Sequence, residues 1–262
     1  MAPRLAVVTG ASKGIGEASA RRFLLEGVPV IGISTSPPDE PLASDPGFHG
    51  VVGNVSDPAA WAEVTAIYQA MGMAPEALVL NAARARVGTV LTLNLDDWRA
   101  QFEDNVFGAV LGASTCLPDM IAGGGGAVVV VSSVNGWMAE QGLIAYSSTK
   151  ATLIEIARSL AVDHAREGIR ANVVAPGTTD TPAFRRAMGT ADDPEAWIAE
   201  RAERNPLGRI LSADEVANVV WFLSGEESAG MTGAVVAVDA GLSVSFDFRG
   251  PGSGYRERPH ED

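Results

Sequence analysis

Residues 5–16, Leu5-Ala6-Val7-Val8-Thr9-Gly10-Ala11-Ser12-Lys13-Gly14-Ile15-Gly16, decide the fold. The first five form an apolar run that ends in threonine, short enough for a strand buried on both faces. The rest packs three glycines into a turn, and a helix-period stretch over about Ile15–Glu26 follows at once. In a strand, glycine turn and helix of this kind, backbone N–H groups at the helix N-terminus can come close to a pyrophosphate. The spacing is G-x-x-x-G-x-G rather than G-x-G-x-x-G. A glycine turn that only reverses the chain would read the same in isolation, so the rest of the sequence has to decide.

Outward from this stretch the same alternation continues. Val28–Ser34, Val51–Val55, Ala77–Asn81, Ala127–Val131, Ile169–Ala175 and Ala234–Val238 read as further strands. Between them lie helical stretches over about Pro58–Met71, which Asp57 is placed to cap, Asp96–Ile121, closed by Gly123–Gly126, and Tyr146–Glu167. Shorter helices are expected near Pro194–Arg204 and Asp214–Leu223. Apolar strands spaced by helices predict an α/β fold: one doubly wound, Rossmann-like parallel sheet of about seven strands with helices on both faces. A single domain is expected over residues 1–248, and the Gly/Pro/charge-rich residues 249–262 read as a flexible tail. Ser36–Gly50 carries four prolines and two glycines and is expected to be a loop.

Composition narrows the classes. A net charge of −13 over 262 residues argues against a nucleic-acid partner, because phosphate binding needs clustered cations. No run approaches the roughly 18 consecutive apolar residues of a membrane span. Met1-Ala2-Pro3-Arg4 enters an apolar strand at once, without the pattern of a signal peptide, so the expected location is cytoplasmic. Cys116 is the single cysteine, which excludes an intrachain disulfide, and its helical setting reads as core. His49, His164 and His260 have no metal-ligand spacing, so no metal is expected. Of 19 basic side chains only Lys13 and Lys150 are lysines, and both fall inside motifs.

The second of these motifs is Tyr146-Ser147-Ser148-Thr149-Lys150. It puts a phenol and an ammonium at i and i+4, on one face of one helix. A free tyrosine titrates near ~10, too high for easy proton exchange at neutral pH, and a neighbouring positive charge lowers that value. Such a tyrosine can give a proton to a carbonyl oxygen or take one from an alcohol. A surface Tyr–Lys pair fits the same spacing. Ser132-Ser133 ends the Ala127–Val131 run, at the strand edge where parallel sheets hold ligands, and a hydroxyl there can stabilise charge on a substrate oxygen. Its bland alternative is a strand-end cap.

Taken in order along the chain, T-G-x-x-x-G-I-G, N-x-A, S, Y-x-x-x-K and P-G resemble the short-chain dehydrogenase/reductase family, over roughly residues 5–242. That resemblance implies an NAD(P)(H)-dependent oxidoreductase acting on CH–OH or C=O groups, with a small carbonyl or alcohol substrate. It assigns catalytic roles to Asn105, Ser133, Tyr146 and Lys150. Asn105, which by itself reads equally as an exposed polar residue, would help hold a water linking the lysine to solvent. Cofactor contacts would come from Gly10, Ser12, Lys13, Gly14, Ile15 and Gly16, and from Ser34 and Thr35 at the second strand's end. Asn54 and Val55 would meet the adenine, with Asn54 standing where the family usually has Asp. Asn81 and Ala82 follow the fourth strand, with Asn81 steadying the sheet. Pro176, Gly177, Thr179 and Thr181 would hold the nicotinamide end. Arg84 departs from the family's N-x-A-G, replacing glycine.

Cofactor choice is read at Ser34. An acid there would bond the ribose 2′-hydroxyl and repel a 2′-phosphate. Ser34, Thr35 and Ser36 with Lys13 nearby suit a phosphate, so NADP(H) is favoured and NAD(H) is the alternative. Substrate-facing positions are expected at Val134, Asn135, Gln141, Phe184 and the cations Arg84 and Arg86, which would suit a carboxylate-bearing substrate unless both are solvated loop charges. A slight further similarity is to members oxidising cyclic hydroxy acids or dihydrodiols. The family usually forms dimers or tetramers, and Leu153, Ile154, Ile156 and Ala157 beside Arg158 suit a helix buried on more than one side. A non-catalytic cofactor-binding scaffold is the reading of another class.

Overall fold

The computed structural model describes residues 4–188 and 193–245. The tail expected at residues 249–262 lies outside the described residues. Seven strands form one sheet: β1 (Ala6–Thr9), β2 (Val30–Ser34), β3 (Phe48–Val52), β4 (Ala77–Leu80), β5 (Gly126–Val131), β6 (Ile169–Pro176) and β9 (Val235–Val238). Their order is β3-β2-β1-β4-β5-β6-β9, and every neighbouring pair runs parallel. Two residue pairs outside this sheet, β7 (Thr179–Asp180) and β8 (Leu211–Ser212), pair with each other and had no signal in the sequence.

Consecutive strand side chains point to opposite faces, so each strand feeds two cores. Val7, Leu78, Val128 and Val130 join one core, under α2 (Pro58–Ala70), α4 (Gly108–Ala122) and α5 (Ile144–His164), with Trp61, Val64, Tyr68 and Met120. Val8, Val79, Val129 and Val131 join the other, under α1 (Gly14–Leu25) and α8 (Ala213–Ser224), with Phe23, Val220 and Leu223. Each such aliphatic or aromatic side chain contributes roughly 1.5–3 kcal/mol when removed from water. That two-sided demand explains why the strands read as unbroken apolar runs. Asp57 caps α2, accepting from Ala59 N–H, as expected.

Two sequence expectations need correction. The third strand is Phe48–Val52, not Val51–Val55, so it takes the last residues of the expected Ser36–Gly50 loop, and Asn54 and Val55 lie beyond the strand. Register against β2 pairs Phe48 with Val30 and sets the Phe48 ring over Gly32, where a Cβ would come within 2.5 Å of it. The two glycines and His49 hid this short strand. The long helix expected over Asp96–Ile121 is α3 (Leu95–Phe102), a π-helical turn over Glu103–Phe107, and then α4. By length and composition the run Leu95–Ala122 could cross a membrane, but half of its apolar window is buried against the rest of this fold.

Two more helices, α6 (Pro182–Met188) and α7 (Pro194–Glu203), follow β7 and lie at the sheet's C-terminal edge. The first turns off Thr181, whose Oγ1 accepts from Phe184 N–H at 3.2 Å. Asp193 caps the second.

Candidate active site

The glycine turn is built for close approach. Gly10 has φ +67° and a Cβ there would come 2.8 Å from Asn81 Nδ2, while a Cβ at Gly16 would collide with the Gly10 carbonyl oxygen. Side chains at either position would fill the cradle that opens at the start of α1, so the turn fits a diphosphate. Asn81 Nδ2 donates to Thr9 O at 2.9 Å, and Thr9 Oγ1 accepts from Asn81 N–H and Ala82 N–H at 2.8 and 2.9 Å. Asn81 therefore ties β4 to β1 directly beneath the turn. Thr181 reaches the same turn from the far side: its Cγ2 would lie 3.3 Å from a Cβ on Gly14. Thr179 is buried and donates to Gly177 O, and Gly177 N–H donates to Val238 O, which fixes the segment after Pro176 at the end of β6.

At the end of β2, Ser34 Oγ accepts from Ser12 N–H at 3.0 Å, so part of its hydrogen-bonding capacity holds the glycine turn itself. A pocket of about 230 Å³ opens here, lined by Ser12, Ser34, Ser36, Pro37 and Phe48 among others, with no carboxylate among the described residues of its wall. Thr35 and Lys13, which follow Ser34 and Ser12 in the chain, are exposed, and Ile15 is half-buried. Across the turn, Val55 is buried, and Asn54 Oδ1 accepts from Ser56 N–H while its Nδ2 donates to Asp104 at 3.0 Å.

The π-helical turn brings Asn105 inward. It is 1% exposed, with Oδ1 accepting from Arg84 N–H at 2.6 Å and Nδ2 donating to Arg84 O and to Thr149 Oγ1. Thr149 in turn donates to the Tyr146 carbonyl. One asparagine thus joins the loop after β4 to the helix that carries Tyr146 and Lys150. Extra turns of this kind are frequent at functional sites, because they re-aim side chains.

Lys150 is 2% exposed, donates from Nζ to Val131 O at 2.9 Å, and lies 5.5 Å from the centre of the Tyr146 ring. Ser132 Oγ donates to Lys150 O, so of the two hydroxyls it is Ser133 that meets the phenol. Burial pushes the Tyr146 phenol up to about 12; the Ser133 hydrogen bond opposes this and the Glu140 charge adds to it. Burial alone pushes Lys150 down to about 7. The expected acidification of the phenol by a neighbouring ammonium is therefore absent from the protein by itself. Both groups are driven toward their neutral forms, since taking a charge out of water costs more than this one neighbour returns.

Among the expected substrate positions, Val134 is buried at 4% exposure, whereas Gln141 is exposed and Asn135 half-buried. Phe184 packs on Trp197 at 5.7 Å between ring centres. Arg84 and Arg86, expected as cations for an anionic substrate, are each bound by a carboxylate of the α3–π segment: Arg84 Nε to Asp104 at 2.7 Å and Arg86 to Asp97 at 2.6 Å. Neither presents an uncommitted charge. Asp104, Thr149, Glu140 and Arg201 carry parts of the site that sequence reading missed. Thr149 stands inside the Tyr–Lys motif but takes its role from Asn105, and the other three stand in no motif and are given roles only by distant partners.

A seven-stranded parallel sheet with a glycine turn at β1 and a Ser–Tyr–Lys group at the ends of β5 and α5 defines a doubly wound oxidoreductase class. Comparison with known proteins agrees. A family model described as Enoyl-(Acyl carrier protein) reductase matches residues 10–243. Oxidoreductase UcpA of Escherichia coli (strain K12) is 35% identical over 249 residues, 92% of this chain and 95% of the relative. The ligand-free aldohexose dehydrogenase of Thermoplasma acidophilum superposes with a TM-score of 0.88 at 32% identity, covering 95% of this chain and 97% of that one. L-Sorbose reductase of Gluconobacter frateurii, solved with NADPH and L-sorbose, gives 0.86 at 25% identity over 94% and 98%. The chain belongs to the short-chain dehydrogenase/reductase family and is an oxidoreductase of CH–OH or C=O groups. The family works with nicotinamide cofactors and small-molecule substrates.

Proposed function

We propose that the enzyme interconverts a ketone and a secondary alcohol with NADP(H), Tyr146 moving the proton. The observation that carries this reading is the Tyr146 phenol, hydrogen-bonded to Ser133 and set above a buried, weakly basic Lys150. The cofactor, when bound in the cradle of Gly10, Gly14 and Gly16, supplies or accepts the hydride at the substrate carbon and in its oxidised form brings a positive charge. For reduction, the Tyr146 hydroxyl gives its proton to the carbonyl oxygen while Ser133 Oγ donates a hydrogen bond to the same oxygen. For oxidation the phenolate takes the alcohol proton. Lys150, near neutrality in its own titration, takes up or releases the proton that restores the tyrosine. Asn105 holds this helix and the β4 loop in one geometry and completes the tetrad.

NADP(H) is favoured by the carboxylate-free pocket of Ser12, Ser34 and Ser36 and by Lys13, exposed next to Ser12 in the glycine turn. NAD(H) is the second reading, supported by Ser34 already accepting from Ser12. The polar rim of Asn135, Glu140 and Gln141 suits a hydroxylated substrate, as do the sugar-named neighbours, whereas the ion pairs at Arg84 and Arg86 weigh against selection of a carboxylate. Exposed Phe107 of the π-helical turn, Val110 of α4 and Val162 of α5 are the surface we assign to a dimer or tetramer.

Fluorescence titration with NADPH and NADH, then a ketone and alcohol panel with the tighter cofactor, tests this. Tyr146→Phe is expected to bind the cofactor like the parent and to lose turnover by roughly 10²–10⁴. Equal turnover would end the mechanism.

A further inference from the structure

Ser133 does not stand alone at the end of β5. It caps the short turn Val134–Gly136, its Oγ accepting from Asn135 N–H at 3.2 Å and lying 3.4 Å from both Asn135 Oδ1 and Pro176 O. The Asn135 amide is itself held, since Nδ2 donates to Glu140 Oε2 at 3.1 Å. Glu140 Oε1 meets Arg201 Nη1 at 2.6 Å, with only 30% and 23% of the two side chains exposed. Arg201 sits on α7 and stacks 4.2 Å from the centre of the Trp197 ring, which packs against Phe184 of α6. A continuous chain of polar contacts therefore runs from the helices flanking the sheet's C-terminal edge to the serine that meets the phenol.

The direction of this chain follows from donor and acceptor chemistry. An ionised Glu140 can only accept, so the amide edge facing it must be the Nδ2 edge. That leaves Oδ1 toward Ser133, where it can only receive the serine's proton. The hydroxyl proton therefore rests on Asn135 or Pro176 and swings from there to the phenol or substrate oxygen when charge develops on it. Turning the amide over would put an N–H against Ser133 Oγ and take away the acceptor that holds its proton in place between turnovers.

We infer that Glu140 is the positioning residue for Ser133: its carboxylate fixes which edge of Asn135 the serine sees, and through Arg201 the same carboxylate holds α7. This rests on the oxidoreductase reading above for its kinetic consequence, but the coupling itself is structural. Two effects separate. Arg201 joins α7 to the site wall, so its loss acts on substrate retention. Glu140 in addition sets the orientation that Ser133 uses while the proton moves, so its loss acts on the chemical step.

The test compares Arg201→Gln, Glu140→Gln and the exchanged pair Glu140→Arg/Arg201→Glu, each checked for unaltered NADPH binding. Arg201→Gln should raise KM about tenfold with kcat changed less than about threefold. Glu140→Gln should lower kcat about tenfold as well. The exchanged pair should bring KM back near the parent value while kcat stays low, because an arginine at 140 can only donate and turns Asn135 the wrong way. Recovery of both constants in the exchanged pair, or unchanged kcat in Glu140→Gln, would overturn the inference. Hydrogen exchange on the cofactor-free protein decides the matter without turnover. The Gly136 and Trp137 amides, bonded to Ser133 O and Val134 O, should exchange about tenfold faster in Glu140→Gln. Unchanged exchange rejects the coupling. Faster exchange in a protein that reduces no carbonyl would keep the coupling and reject the oxidoreductase mechanism instead.

Discussion

Replacing Lys150 with methionine should reverse sign in its value to the fold as pH rises. Lys150 is 2% exposed, and its Nζ donates a hydrogen bond to Val131 O at 2.9 Å. Burial lowers its pKa from 10.5 to about 7. A basic group whose folded pKa is depressed binds fewer protons in the folded than in the unfolded chain between those two values. Stability from this group therefore rises with pH across the window, by up to about 1.4 kcal/mol per unit, and is lost as pH falls toward the folded value. Summed over the window this is on the order of 5 kcal/mol as an upper bound, since internal relaxation and water entry soften burial. Methionine removes the penalty but strands the Val131 carbonyl, a pH-independent loss of roughly 1–3 kcal/mol. Melting curves of parent and Lys150→Met from pH 6 to 10 should thus converge and cross: the variant gains at pH 6 and falls behind by pH 10. With roughly 2–4 °C per kcal/mol for a domain of this size, the difference between the two proteins should swing by several degrees. A difference that stays flat across the range would show that Lys150 is not desolvated as described.

Other outcomes follow from the same geometry. Asn105→Ala removes the three side-chain bonds to Arg84 and Thr149, and should lower stability by about 2–3 kcal/mol in denaturant titration while weakening turnover further than that loss explains. Lys13→Ala should weaken NADPH about tenfold by fluorescence titration and leave NADH nearly unchanged. Equal weakening of both would move the lysine away from the 2′ position.

Some of this protein is local and was therefore legible. The strand, glycine turn and helix of residues 5–16 are fixed by apolar pattern and by positions only glycine tolerates, and the sheet followed from six more runs of the same kind. Tyr146 and Lys150 share a face because helix geometry puts i and i+4 together, whatever surrounds them. Other features required the tertiary fold. The π-helical turn at Glu103–Phe107 interrupts a sequence whose period gives no break, and it alone carries Asn105 into the core. β3 is set by pairing with β2 and by the fit of Phe48 over Gly32, not by its own composition. Arg84 and Arg86 read as free cations until Asp104 and Asp97, which the fold brings from the next helix, took them up. The titration of the Tyr146–Lys150 pair runs opposite to what spacing alone suggested. Spacing fixes which charges are near each other, but removal from water depends on everything packed around them, and that is settled only when the whole chain has folded.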